Sequence, residues 1–445
     1  MVLTRRAMMA GLGAAAATYG APPAAAVRRA PPAGAEPEPP ALFGAPKGVT
    51  PDRLARDEGF WEGVARRFQV SPDFVNLENG YYGIMPDPVR AAYHRAVDRL
   101  NRENSHLLRT TYRAEADRVR ERVAAVTGVR PDELALTRGG TEALQNLLAG
   151  YRRLAPGDVV MYADLDYHST QYTMNWLKER RGVRVARLVV PEPATRAAVL
   201  DAYAKALREH PRTRLLLISH MNNRTGLVLP VAELVAMARE AGADAVVDAA
   251  HSWGQLDFTI PGLGADFAGF SLHKWMGAPL GSGFLYIRRD RLDDIDLAFA
   301  DESFPRDDIR SRVHSGTMDV APILVTPVAL DFHDALGAAV KQARLRYLRD
   351  RWVEQVRHLP GVEILTPDDP AMYGAITSFR LTGRTSEADN LAIVKHLLDR
   401  HRVFTVRRGG LARGDCVRVT PALFTSAGDV DLLAKGLREL AGRPG

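Results

Sequence analysis

Residues 270–277 read FSLHKWMG and place Lys274 immediately after an apolar run, 267–271, that we predict to be a buried strand. An ammonium group between apolar residues is unusual, because burial lowers the pKa of an amine and makes it a nucleophile. Considered alone, Lys274 could equally be an ordinary lysine whose side chain extends to the surface. The residues that precede Lys274 in the chain therefore decide between the two interpretations.

Two polar features upstream favour a reactive lysine. Asp248 ends the apolar run 245–248, where an unpaired carboxylate would be costly to bury. Gly140 and Thr141 follow another apolar run and open a predicted helix, which suits a bound anion such as a phosphate. Taken alone, each feature fits an ordinary strand-end turn or an N-capped helix. Together with Lys274 they supply an anion site, an acid and an amine, which are the three groups that pyridoxal phosphate needs.

Short apolar runs alternate with amphipathic stretches from residue 134 onward, which predicts an α/β fold with a mostly parallel sheet between helices. In such sheets, ligands bind beyond the carboxyl ends of the strands, where Asp248 and Lys274 fall. The predicted strands of this sheet are residues 134–137, 159–163, 185–190, 215–219, 245–248, 267–271 and 284–287.

The pattern changes after residue 332 to shorter elements that are typical of a smaller α+β domain, with strands predicted at 362–365, 375–381, 403–407 and 416–420. We therefore predict three parts downstream of the N-terminal region. They are a segment that crosses both domains (51–110), a large domain (111–331) and a small C-terminal domain (332–445).

The composition restricts the class of protein. Of its 445 residues, 46% are hydrophobic and 25% are charged, which excludes a disordered or fibrous chain. One cysteine excludes an internal disulfide and a cysteine-cluster metal site. The formal charge of +6 is spread along the chain, so we expect no nucleic-acid binding. The histidines lack a recognisable ligand spacing, and we predict no metal site.

Residues 1–26 have the features of an export signal rather than of a folded segment. Arg5 and Arg6 precede a short apolar stretch, and small residues at 24–26 offer a cleavage site, which together resemble a twin-arginine signal. A disordered N-terminus is the alternative. The apolar stretch is shorter than the roughly 20 residues of a spanning helix, so we expect no stable membrane anchor. We predict export through the twin-arginine machinery to the periplasm or the medium, with a Pro/Ala-rich linker at 27–50.

Three motifs resemble those of class V aminotransferases, a family of fold-type-I pyridoxal-phosphate enzymes. They are Ser271-x-His273-Lys274, the segment 248–251 and the segment 140–143. Residues 79–83 and 164–167 are similar to the branch that contains isopenicillin N epimerase and carbon–sulfur lyases. The resemblance implies a seven-stranded large domain, a smaller C-terminal domain, pyridoxal 5'-phosphate as cofactor, an amino-acid substrate and a homodimer.

The resemblance also implies roles for single residues. Lys274 would bind the cofactor aldehyde covalently, and Asp248 would pair with the ring nitrogen and keep it protonated. Tyr167 occupies the position at which many relatives stack a histidine on the ring, which leaves His168 as an alternative. The remaining assignments are Asn223 and His251 at the phenolic oxygen, Gly140, Thr141, Ser271 and His273 at the phosphate, Thr317 at the phosphate of the neighbouring subunit, and Arg418 and Asn79 at the substrate.

The sequence identifies the reaction less narrowly than it identifies the cofactor. A cysteine desulfurase of this family needs a thiol on the loop before the Arg418 strand, and residues 407–412 contain none. Cys416 falls within the predicted strand, where a small buried apolar residue is the simpler explanation. We therefore expect an epimerase that acts at Cα, with a carbon–sulfur lyase or an aminotransferase as alternatives. A non-catalytic binding module is also possible in principle, but the complete set of Lys274, Asp248 and phosphate residues argues against it.

Overall fold

The structure is a computed structural model that describes residues 44–299 and 302–442. The predicted signal at 1–26 and most of the predicted linker lie outside the described residues. The described strands are β1 Val75–Asn76, β2 Leu134–Thr137, β3 Val159–Ala163, β4 Arg184–Leu188, β5 Thr213–Ser219, β6 Asp244–Asp248, β7 Phe267–Ser271, β8 Gly283–Ile287, β9 Val362–Ile364, β10 Thr377–Leu381, β11 Val403–Phe404, β12 Val406–Arg408 and β13 Cys416–Val419. The described α-helices are α1 Pro51–Ala55, α2 Glu58–Ala65, α3 Asp87–Thr110, α4 Tyr112–Thr127, α5 Gly140–Gly150, α6 His168–Arg181, α7 Arg196–Glu209, α8 Val231–Glu240, α9 Ala321–Leu336, α10 Ala338–Val356, α11 Glu387–His401 and α12 Ala427–Ala441.

The central sheet has seven strands in the order β2-β8-β7-β6-β5-β3-β4. Neighbours from β4 to β7 run parallel, whereas β8 is antiparallel to both β7 and β2. Every residue of β3, β7 and β8 is buried, as expected for strands covered by helices on both faces. The prediction of an α/β fold with a mostly parallel sheet is confirmed, and each predicted strand of this sheet matches an observed one to within two residues at either end.

A second sheet of four antiparallel strands follows in the chain, in the order β12-β13-β10-β9. Its core is built around Trp352 of α10 and Phe379 of β10, both fully buried. The prediction of one strand at 403–407 was wrong, because this stretch forms two strands that pair with different partners. β11 pairs with β1 from the N-terminal region, whereas β12 pairs with β13.

The segment before α3 contacts elements that are distant in sequence. Glu58 of α2 forms an ion pair with the buried Arg344 of α10, at 2.5 Å. Farther along, the backbone N–H of Gly83 donates to the carbonyl of His273, at 2.9 Å. This segment therefore holds the backbone beside Lys274 as well as a helix of the C-terminal part. The predicted division at residues 331 and 332 lies inside α9, which continues across it.

No single helix in the described ranges is long and apolar enough to cross a membrane. By length and composition alone, α9 and α10 pass that test as a pair, with a bend of 74° between them.

Candidate active site

A cavity of about 650 Å³ opens beyond the carboxyl ends of β5, β6 and β7. This is the edge at which ligands bind in open parallel sheets. Side chains from both sheets and from the N-terminal segment line it. Of the residues predicted from the sequence, the cavity brings together Gly140, Thr141, Tyr167, Asn223, Asp248, His251, Ser271, His273, Lys274 and Arg418, together with the alternative His168.

Lys274 lies just past β7, with its Nζ 2.9 Å from Nε2 of His251. Burial lowers the pKa of Lys274 to about 8, although the carboxylate of Asp248 opposes this shift. Burial and the Lys274 charge also hold the pKa of His251 well below its usual value, so the imidazole is neutral. A neutral imidazole can accept a hydrogen bond from the ammonium, and the lowered pKa leaves roughly a tenth of the amine uncharged at pH 7. These are the properties of a nucleophilic amine.

Two glycines make room for the backbone that carries this lysine. A Cβ atom on Gly83 would lie 2.1 Å from the carbonyl oxygen of Lys274. A Cβ atom on Gly254, whose φ is +93°, would lie 2.6 Å from the carbonyl carbon of Trp275. Only glycine permits such close approach, and it also adopts this positive φ without strain. The loop after β7 is therefore held between two other backbone segments, which restricts where Lys274 can point.

Asp248 is buried at the end of β6, one strand away from Lys274. Its Oδ1 accepts a hydrogen bond from the backbone N–H of Ala250, at 3.0 Å. Burial raises the pKa of this carboxyl, against the effects of the Ala250 hydrogen bond and the Lys274 charge. Within the described part of the chain, no lysine or arginine forms an ion pair with it, and a buried carboxylate is stabilised by a cationic partner. The protonated ring nitrogen of a bound pyridoxal phosphate would supply that partner.

The opposite end of the cavity is an anion cradle at the start of α5. The backbone N–H of Gly140 donates to Oγ of Ser271, at 3.0 Å, and a Cβ atom on Gly140 would lie 2.8 Å from the same oxygen. Nδ1 of His273 donates to the carbonyl of Ser282, at 3.0 Å, which fixes the tautomer of this ring. The free N–H groups of a helix start, a hydroxyl and an imidazole suit a phosphate group.

The remaining side chains around the cavity include one unpartnered amide. Oδ1 of Asn223 is buried and, among the described residues, has no hydrogen-bond partner. Such an atom destabilises the structure until a ligand satisfies the amide. Tyr167 and His168 both line the cavity, with their ring centroids 4.4 Å apart and the planes inclined at 59°. Both alternatives for the residue that stacks on the cofactor ring therefore stay as predictions.

Arg418 points into the cavity from β13 and is 1% exposed. Its guanidinium donates to Oε1 of Glu78 at 2.5 Å and to the carbonyl of Asn223 at 2.7 Å. Gly80 lies directly against this group, because a Cβ atom there would be 2.6 Å from one guanidinium nitrogen. Glu78 and Arg408, which also contact one another, were not anticipated from the sequence. The only sequence signal for Glu78 was its position directly before Asn79, the first residue of the motif at 79–83.

Two predicted residues lie outside the described lining of this cavity. The side-chain amide of Asn79 donates to the carbonyls of Thr420, at 2.9 Å, and of Asn76, at 3.2 Å. These hydrogen bonds join the N-terminal segment to the end of β13, and the predicted contact of Asn79 with substrate stays a prediction. Thr317 is exposed, and its predicted role at the phosphate of a neighbouring subunit stays a prediction.

One group of possible metal ligands occurs elsewhere in the described ranges. His396 and His401 of α11 and Glu439 of α12 place their ligand atoms within 4.8 Å of one another. Nε2 of His401 lies 3.1 Å from Oε2 of Glu439, so a hydrogen bond between the two helices accounts for this contact. The spacing of these residues in the sequence gave no indication of the grouping.

The cradle predicts the effect of adding one methyl group. In G140A, the new Cβ would lie 2.8 Å from Oγ of Ser271 and 3.2 Å from Cβ of Ala250, so the Ser271 hydroxyl would be displaced from the cradle. We expect the affinity of the apoprotein for pyridoxal phosphate to fall about tenfold, the equivalent of one charge-assisted hydrogen bond. Fluorescence titration with the cofactor measures this. G262A is the matched control, because its Cβ would meet only Oγ1 of Thr259, at 3.5 Å. Equal affinities in both variants would contradict the assignment of the cradle.

Comparison with known proteins agrees with this geometry. The family profile "Aminotransferase class-V" matches residues 88–431. Isopenicillin N epimerases from Streptomyces clavuligerus and Amycolatopsis lactamdurans are 31% and 32% identical to the chain, each over 86% of it and 98% of the relative. A probable cysteine desulfurase from Methanothermobacter thermautotrophicus is 27% identical over the same shares of the two chains.

Solved structures share the fold. The apo structure of a cysteine desulfurase from Thermococcus onnurineus NA1 superimposes with a TM-score of 0.73 at 21% identity, over 85% of this chain and 98% of the other. A mutant of C-DES with glycine covalently linked to its pyridoxal-phosphate cofactor gives 0.72 at 23% identity, over 85% and 99%. The amine, the buried acid and the anion cradle fit that cofactor. The chain therefore belongs to the aminotransferase class-V family and is a fold-type-I enzyme that uses pyridoxal phosphate.

Proposed function

We propose that this enzyme removes the α-proton of a free amino acid and returns it to the opposite face, as an amino-acid epimerase or racemase. Two observations together carry the proposal. The reactive amine of Lys274 lines the cavity, and the thiol of Cys416 is buried. Isopenicillin N epimerases that are 31% and 32% identical over 86% of this chain support the same reaction class.

Cys416 is the one cysteine of the chain, and it lies in β13 with 0% exposure. Burial raises the pKa of its thiol to about 12, so it stays protonated at physiological pH. Its Sγ contacts the carbonyl of Arg224, at 3.9 Å. A thiolate is the nucleophile that accepts sulfur in thiol-dependent desulfurases. Cys416 is therefore a poor candidate for that role, and the proposal does not use it.

The residues around Lys274 suit proton transfer at Cα. The bound cofactor supplies an electron sink that stabilises negative charge at that carbon. Lys274, released from the cofactor aldehyde by exchange with the amino group of the substrate, would then take the proton, because its lowered pKa of about 8 places it close to the working range of a general base. His251, with Nε2 2.9 Å from Nζ, would orient the amine through a hydrogen bond. Asp248 would stabilise a positive charge on the ring nitrogen of the bound cofactor. Return of the proton from the second face needs another group, for which Tyr167 and His168 at the cavity wall are candidates.

A carbon–sulfur lyase and an aminotransferase are the alternatives, since both share the first proton transfer. A lyase would next lose a β-substituent and release pyruvate and ammonia. An aminotransferase would place the proton on the cofactor and release an oxo acid. All three reactions need the same Lys274, so the products rather than the site distinguish them.

Incubation of the holoenzyme with L- and D-amino acids in deuterated water tests the proposal. We expect deuterium at Cα and formation of the opposite enantiomer for at least one amino acid, by NMR and chiral chromatography. In K274A the exchange should fall by at least about a hundredfold, because the base is lost. C416A is the control and should retain the wild-type rate. Pyruvate and ammonia without enantiomer would instead identify a lyase, and loss of activity in C416A would identify a thiol-dependent reaction.

We also propose that the protein is exported by the twin-arginine route, on the basis of Arg5, Arg6 and the short apolar stretch that follows. This route carries folded proteins, so the cofactor could be bound before transit. Changing both residues to lysine should keep the precursor in the cytoplasm, as measured by fractionation and immunoblotting. The matched control changes Arg28 and Arg29, which lie beyond the predicted signal, and should be exported normally. Equal export of both variants would contradict this route.

A further inference from the structure

The indole of Trp275 and the amine of Lys274 contact opposite sides of one imidazole ring. Nε1 of Trp275 donates to Nδ1 of His251 at 3.4 Å, while Nε2 of the same ring lies 2.9 Å from Nζ of Lys274. Among the described residues, only these two side chains form hydrogen bonds with the ring. His251 therefore links two consecutive residues of the loop after β7.

Trp275 is held in place through both its backbone and its side chain. Its carbonyl accepts from Nζ of the buried Lys341 at 3.2 Å. The residue is 9% exposed and packs in an apolar cluster with Met221 and Leu256. A buried indole N–H needs an acceptor, and Nδ1 of His251 is the one that the described part of the chain provides.

The direction of this hydrogen bond determines which nitrogen of His251 carries the hydrogen. An indole N–H can only donate, so Nδ1 must offer its lone pair. Burial and the charge of Lys274 hold the pKa of His251 well below its usual value, so the ring is neutral and has one N–H. That hydrogen is therefore on Nε2, the nitrogen that faces Lys274.

The tautomer of His251 in turn determines which form of Lys274 fits beside the ring. Nε2 with a hydrogen can only donate, and an ammonium has no lone pair with which to accept, whereas an uncharged amine has one. The opposite tautomer would accept from an ammonium at Nε2, but it would direct the hydrogen on Nδ1 at the indole N–H. Trp275 disfavours that tautomer and, with it, the charged form of the amine.

Other titratable groups act on Lys274 and His251 through their charge alone. They are Asp248, Glu78, His273, Arg408 and Arg418. Burial lowers the pKa of Lys274, the two arginines lower it further, and the two carboxylates oppose the shift. Within the described ranges, none of these five groups forms a hydrogen bond with the His251 ring, so Trp275 is the residue that selects the tautomer.

We propose that Trp275 is a positioning residue, which fixes the hydrogen of His251 on Nε2 and thereby favours the uncharged amine of Lys274. The uncharged amine is the form that reacts with a carbonyl group. The inference goes beyond the proposed function, because attachment of the cofactor precedes epimerisation, elimination and transamination alike. An enzyme that fails to exchange deuterium at Cα would therefore leave this inference standing.

Nitrogen NMR of the apoprotein, with isotopically labelled histidine, reads the tautomer directly, and H251Q assigns the resonances. We expect an unprotonated Nδ1 and a protonated Nε2 in the wild-type protein, and both tautomers in W275F, which lacks the indole donor. W61F is the matched control, because Trp61 also buries an indole N–H, which donates to the carbonyl of Leu54 at 2.8 Å. A wild-type ring with its hydrogen on Nδ1, or an unchanged ring in W275F, would overturn the proposal.

The pKa of Lys274 gives a second readout, measured in the apoprotein from the pH dependence of its labelling by a small amine-reactive reagent. W275F should raise this pKa by about half a unit to one unit, because an unprotonated Nε2 can then accept from the ammonium. W61F should leave it unchanged. If the pKa does not rise in W275F, Trp275 does not act on Lys274 and the proposal fails.

A double variant separates this effect from hydration, since the smaller side chain in W275F also leaves room for water beside Lys274. H251Q replaces the imidazole with an amide, which has no tautomers. In the H251Q background, W275F should therefore leave the pKa of Lys274 unchanged. An equal rise with and without His251 would mean that Trp275 acts by excluding water, which contradicts the proposal.

Discussion

The placement of an amine and a carboxylate at the ends of two adjacent buried strands is the constraint on which the site depends. β6 and β7 run parallel, and Asp248 pairs in register with Gly269, so Asp248 and the lysine that follows β7 emerge at one edge of the sheet. Neither group has a full set of partners in the protein: the carboxylate lacks an ion pair among the described residues, and the amine has only the neutral His251. The fold thus maintains two groups at a free-energy cost that the cofactor relieves.

The second sheet and the N-terminal segment supply the part of the cavity wall that the central sheet does not. Gly83 holds the backbone after β7, and Glu78, five residues earlier, holds Arg418 of β13. One short stretch of chain therefore sets the positions of the cofactor amine and of the predicted carboxylate-binding arginine. A displacement of this stretch would therefore move both groups.

The sequence predicted well those features that arise from local pattern. The buried strands of the central sheet are continuous apolar runs, and the residues that follow them, Asp248 and Lys274, reach the cavity for that reason. The stretch 403–407 was misread as one strand, because its first half pairs with the distant β1 and its second half with the nearby β13, and the local pattern does not show this change of partner.

Such local patterns could not predict ion pairs between residues that are far apart in the sequence. Arg408 and Arg418 meet a glutamate that lies 330 and 340 residues away, and no periodicity reports that contact. Asn79 is a further example. Its position in a motif predicts a substrate contact, which stays a prediction, and the sequence did not show that its amide bonds to the backbone at the end of β13. Some polar residues near a site line the cavity, and others hold its backbone in place. The two kinds can be distinguished only from their contacts in the structure.

The account depends most on a covalent bond between Nζ of Lys274 and the aldehyde of pyridoxal phosphate. Borohydride reduction of the purified holoenzyme, followed by proteolysis and mass spectrometry, measures this bond directly. We expect a phosphopyridoxyl adduct on the peptide that contains Lys274, and its loss in K274A. An unmodified Lys274 peptide, or an adduct on another lysine such as the buried Lys341, would contradict the central claim.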